Sequence, residues 1–113
     1  MNVKEKGNFY QMPEGERGQE IIEVLLKNKA LWVERIISFG SETPKGVWYD
    51  QSTDEWVVLL RGESQLEYED GSIQELKEGD WVFLPAGKKH RVAYTSFDPP
   101  CLWLAIHVKK DEE

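Results

Sequence analysis

Cysteine is nearly missing from these 113 residues: Cys101 is the single one, so no internal disulfide can staple the fold. Histidine is almost as rare, with only His90 and His107, which makes an imidazole at a meaningful spacing informative. No apolar run approaches the roughly 20 residues of a membrane span. The first thirty residues carry charges where a secretory signal would need an apolar core. Together these absences predict a cytoplasmic chain that does not enter a membrane. Basic side chains are also outnumbered, 14 Lys and Arg against 21 Asp and Glu, for a net charge of −7. Binding to a phosphate backbone draws on clustered Lys and Arg that release counterions, so nucleic acid is not an expected partner.

What is present points to one well-packed domain. Apolar residues make up 40% and aromatic residues 12%, with five tryptophans. That content supports a core despite 31% charged residues, and the length suits a single core. Met1 to Gly18 scatters Gly7, Pro13, Gly15 and Gly18 among charges and reads as loop and extended arm. From Gln19 to Lys27, Ile22, Leu25 and Leu26 fall at helical spacing behind Glu20 and Glu23, which predicts a short helix. From Leu31 onward, short β-rich runs alternate with turn signals: 31–39, 47–51, 55–61, 64–68, 73–76, 81–84, 90–95 and 102–108. Asp70-Gly71 is the clearest hairpin turn, and Pro99-Pro100 break the chain before the last run. Eight such runs predict an all-β sandwich or barrel over 31–108. An arm and short helix precede it over 1–30, and a charged tail follows over 109–113.

The run from Gly79 to His90, GDWVFLPAGKKH, ends an apolar strand in a turn held by Pro85 and Gly87 and delivers His90. Glu55 heads a second apolar strand that closes on Gly62. A carboxylate and an imidazole on separate strands are what a metal or acid/base site inside a barrel needs. Every position from Trp56 to Leu60 is apolar, so both faces of that strand are expected to be buried. With Glu55 inward, Val57 and Leu59 follow it, while Trp56, Val58 and Leu60 face outward. That outward row, with part of the strand around Trp32 to Ile36, predicts a homodimer interface.

These residues resemble the cupin family of jelly-roll barrels. Its second motif is a glycine, five residues, proline, one residue, glycine, two residues, histidine, three residues and an asparagine. Gly79, Pro85, Gly87 and His90 match it, with Tyr94 in the asparagine's place. The first motif ends in a glutamate and, six intervening residues later, a glycine, which Glu55 and Gly62 reproduce. Its two histidines are absent, and counting back from Glu55 puts Tyr49 and Gln51, or Trp48 and Asp50, in their place. The resemblance spans about Leu31 to Val108 and implies an antiparallel jelly-roll barrel.

Cupins with the full motif hold a divalent transition metal on three histidines and a glutamate. The resemblance therefore implies Glu55 and His90 as ligands for Zn, Fe, Mn or Ni. Gln51 can offer an amide oxygen, Tyr49 a phenol oxygen, and His107 a second imidazole. If Trp103, Ala105 and His107 form the inward face of the last strand, His107 reaches the site and Trp103 lines the ligand cavity. Tyr94 is expected to line it too. Blander roles remain open: Glu55 in a rim salt bridge with Arg61 or Arg91, His107 at a solvated strand end, and Gln51 and Tyr49 as a hydrogen-bonded lining. Lys88, Lys89 and Arg91 flank His90 and could steer an anion inward. Two functions follow. One is a metal-dependent isomerase, lyase or dioxygenase acting on a small polar molecule, with Tyr49 or Glu55 moving a proton. The other is a metal-free, non-catalytic domain that binds or senses a small molecule.

Overall fold

The computed structural model describes residues 5–13, 18 and 20–110. The rest of the expected arm, Gln19 and the tail beyond Lys110 lie outside the described residues. The described chain is all β. In order the strands are β1 Glu20–Lys27, β2 Leu31–Ser38, β3 Thr53–Arg61, β4 Ser64–Tyr68, β5 Ile73–Leu76, β6 Trp81–Leu84, β7 His90–Thr95 and β8 Cys101–Lys109. They form two antiparallel sheets, β1-β2-β8-β3-β6 and β5-β4-β7. This is the antiparallel jelly-roll architecture.

Two segments depart from the expected local structure. Glu20 to Lys27 is a strand and not a helix, pairing with β2 from Glu20↔Ser38 to Lys27↔Trp32 around a bulge between Val24 and Leu26. Ile21, Ile22 and Val24 are β-branched, and pairing along the exposed side of β2 prevails over the helical spacing of Ile22, Leu25 and Leu26. The run 47–51 makes no strand. It crosses as a loop pinned by a single bridge, in which Tyr49 N–H donates to the His90 carbonyl at 2.8 Å and His90 N–H returns a bond at 3.2 Å.

The core lies between the sheets. Val57, Leu59, Leu66, Leu76, Leu84, Trp103 and Ala105 pack as one cluster. Alternation along β3 therefore runs as expected for Glu55, Val57 and Leu59. The outward row is covered in part by the same chain. Val58 is already buried. Leu60 packs with Ile37, Phe39 and Leu102 under Phe9 and Met12 of the arm. The Arg35 guanidinium ties that arm down, donating to the Phe9 carbonyl at 3.0 Å and the Gln11 carbonyl at 2.6 Å, and pairs with Glu23. Trp56 is half-buried and its ring lies 6.0 Å from that of Trp81. Trp81 and Phe83, paired with Val58 and Trp56 on this same face, remain 60% and 52% exposed, so the arm covers only its Leu60 end.

Candidate functional site

The inward face of the larger sheet carries one row from four strands. Trp32 pairs with His107, His107 with Glu55, and Glu55 with Leu84. Period-2 alternation puts Glu34 and Ile36 on the same face as Trp32, and Trp103 and Ala105 on the same face as His107. Opposite this row, the turn after β6 presents His90. Gly87 adopts φ +81°, which favours glycine, and its N–H donates to the Gln51 carbonyl at 2.9 Å. Ala86 N–H donates to Asp54 Oδ1 at 2.8 Å. The Pro-Ala-Gly turn is thus latched to the residues just before Glu55, and the two motif positions meet across one space.

That space is a cavity of about 280 Å³, lined in part by Glu55, His90, His107, Tyr49, Gln51 and Trp103. Tyr94 does not join them. It is 44% exposed, because a bulge at Gln65/Leu66 shifts the register between Val92 and Tyr94 and breaks the alternation that His90 and Val92 obey. Among the lining residues not assigned to the site from the sequence are the polar or aromatic Glu20, Trp32, Glu34 and Ser38. Strict alternation along β2 would have found Trp32, Glu34 and Ser38. Glu20 was hidden by the helical reading of its segment.

The polar groups are positioned differently from one another. A carbonyl can only accept, so His90 Nδ1–H donates to Lys88 O at 3.0 Å; in the neutral ring this leaves Nε2 as a lone pair without a hydrogen bond. Tyr49 stacks on the same ring, centroids 5.6 Å apart. His107 Nε2 lies 2.8 Å from Glu34 Oε1, the ring stacks on Trp32 at 4.7 Å, and Nδ1 is buried without a hydrogen-bond partner. Trp103 Nε1–H donates to Ser38 Oγ at 3.2 Å. Glu55 is only 7% exposed, and its carboxylate makes no hydrogen bond among the described residues. Burial pushes its pKa up and Glu34 adds to the rise, while His107 and His90 oppose it. Burial likewise raises the Tyr49 phenol, with Glu20 and Glu55 adding their repulsion. The rim salt bridges considered for Glu55 do not form. Arg91 points to the other face and binds Glu67 at 2.6 Å, and the Arg61 guanidinium lies over the Tyr10 ring.

A catalytic metal centre usually needs three protein ligands. Among the described residues, no three His, Cys, Asp or Glu side chains converge as a group that could hold a metal ion. Glu55 and His90 retain the two motif positions, His107 bonds Glu34 through Nε2, and the places of the motif's two histidines hold Tyr49 and Gln51. This donor set falls short of a resident metal centre.

The sequence matches the family model of the cupin domain over residues 40–107. The chain belongs to the cupin family. Among solved structures, this cupin is similar to one from Ralstonia eutropha JMP134 described as "a putative mannose-6-phosphate isomerase": 38% identity, 95% of this chain and 100% of that one covered, TM-score 0.87. A cupin domain from Bordetella pertussis Tohama I is 26% identical, with 86% and 100% covered and a TM-score of 0.65. An uncharacterized protein of Aquifex aeolicus (strain VF5) is 35% identical over 85 residues, 74% of this chain and 67% of that protein. The polyketide cyclase RemF of Streptomyces resistomycificus, at 17% identity and a TM-score of 0.68 over 81% of this chain and 66% of that one, shares the fold. No helix among the described residues is long and apolar enough to cross a membrane.

Proposed function

We propose that this cupin binds a small polar molecule in its cavity and uses Glu55 as the group that holds or moves a proton on it. The observation that carries the reading is Glu55 itself. A carboxylate this buried, without a hydrogen bond, is costly unless a proton or a ligand compensates it. Its pKa, raised by burial, suits a group that can hold a proton and pass it to a ligand. The unbonded Nε2 of His90 and the Tyr49 phenol lie beside it as ligand contacts, with Gln51 able to donate or accept through its amide. Trp103 and Trp32 supply apolar wall. Removing a proton from carbon or delivering one to it, a step that isomerases and lyases share, is the chemistry this set supports. The name carried by the Ralstonia structure agrees with that class.

A second reading, a divalent transition metal on Glu55 and His90 with Gln51 beside them, draws on one observation. The bond from His90 Nδ1 to Lys88 orients that ring with its other nitrogen unbonded, as ligating histidines are held. Elemental analysis combined with native mass spectrometry of the purified chain separates the two. The first reading expects a retained or added small molecule without stoichiometric metal, lost in Glu55→Gln. Stoichiometric metal that disappears in His90→Ala would replace it with the second.

The same proposal includes a homodimer, formed along β1. This edge strand leaves Ile22, Val24, Leu25 and Leu26 about half exposed, and an apolar edge invites strand pairing. Antiparallel pairing of β1 with its own copy about the strand centre sets Glu20 opposite Lys27, a favourable charge match. A cytoplasmic setting suits the free, buried Cys101.

A further inference from the structure

The charges facing the cavity are of one sign apart from the imidazoles. Glu20, Glu34 and Glu55 line it from three strands, and among the described residues no Lys or Arg does. The basic side chains near it are held elsewhere. Arg91 binds Glu67 and donates to the Thr43 carbonyl at 3.0 Å, and Lys89 pairs with Glu69 at 3.4 Å. Lys88 Nζ lies 4.3 Å from the Tyr68 ring centroid. Lys27 reaches Trp32, with Nζ 5.7 Å from the ring centroid, without lining the cavity. The basic cluster flanking His90 therefore does not face an incoming anion.

Aromatic faces complete the wall, from Trp32, Tyr49 and Trp103. The faces of these rings attract cations. Glu55 supplies the independent sign of a ligand, being more than nine-tenths buried, without a hydrogen bond and on the cavity wall. Among the described residues, a phosphate or carboxylate brought beside it would find carboxyl groups and no guanidinium or ammonium on the wall to bind it. An ammonium group would supply the hydrogen-bond donors that Glu55 lacks.

Resting on the reading of this space as a ligand cavity, we propose that it selects a small primary amine, with the ammonium against Glu55 and Glu34, and rejects phosphorylated molecules. The volume, about 280 Å³, is at the small end of ligand pockets, which favours a short amino alcohol or an amino sugar.

Isothermal titration with 2-aminoethanol, glucosamine, glucose and mannose 6-phosphate tests this, because the sugars are close in shape and differ in charge. One or both amines should bind, glucose should bind about ten-fold or more weakly, and mannose 6-phosphate weaker still. Glu55→Gln and, independently, Glu34→Gln should each weaken the amine about ten-fold or more, while Glu78→Gln on the exposed turn leaves it unchanged. Circular dichroism confirms that each variant is folded. Binding of glucose or mannose 6-phosphate in preference to the amines overturns the amine assignment and leaves the ligand cavity standing. Silence from all four overturns the amine assignment as well, and retention of another molecule by native mass spectrometry then shows whether the cavity reading survives it.

Discussion

At the scale of single residues, Glu55 and Gly62 mark the two ends of the same strand for different reasons. Glu55 is raised above the ordinary carboxylate value of 4.5 by burial, so the folded protein keeps its proton at pH values where the unfolded chain has lost it. In that window the native state binds more protons, and stability falls as pH rises through it. Glutamine carries no charge at any pH. Glu55→Gln should therefore melt at a higher temperature than the parent at neutral pH. The gap should close as pH falls toward 4.5, and thermal melts across that range check it; a gap that widens on acidification would mean that Glu55 is stabilised as an anion. Gly62 has φ +93°, and a Cβ there would stand 2.7 Å from Ser96 Oγ and 3.0 Å from the Cys101 backbone. Gly62→Ala should cost about 1–3 kcal/mol in urea unfolding, from backbone strain and that overlap. The glycine of the first motif is thus explained by close approach, apart from any role in the cavity.

At the scale of elements, the same alternation rule succeeded on β3 and β8 and failed on β7. Glu55, Val57 and Leu59 turn inward because β3 is an interior strand of its sheet and buries one face against the opposing sheet. His107 and Trp103 follow on β8 for the same reason, so the last histidine is buried and not a solvated strand end. On β7 the bulge sends Tyr94 outward, and a bulge leaves no mark in a composition of ordinary residues. β1 shows the opposite failure. Its apolar spacing fits a helix, and only the free side of β2 makes it a strand. The dimer proposal belongs to this element. Replacing Ile22 and Leu26 together by lysine should convert a dimer to monomer in sedimentation at unchanged secondary structure. A parent chain that is monomeric at micromolar concentration would remove the proposal.

At the scale of the whole molecule, the sequence by itself determined the architecture and the meeting of two groups. Eight turn-bounded runs, the Asp70-Gly71 hairpin and the spacing from Gly79 to His90 are local signals, set by backbone sterics and by which residues tolerate positive φ. Seven of the eight expected strands are present, and the eighth strand of the structure is the one read as a helix. Glu55 and His90 were legible because a family motif places each at a strand end or a turn. Tertiary structure alone decided what surrounds them. It placed Glu34 on His107 Nε2, which fixes that ring and leaves Nδ1 as its nitrogen without a partner. It turned Arg91 and Lys89 to outer carboxylates and laid the arm over Leu60. These outcomes depend on which strands become neighbours, β2 with β8 and β8 with β3, residues far apart in the chain. Side-chain charge can be read from a sequence, but the sign of a cavity is the sum over faces that only the packed sheets bring together.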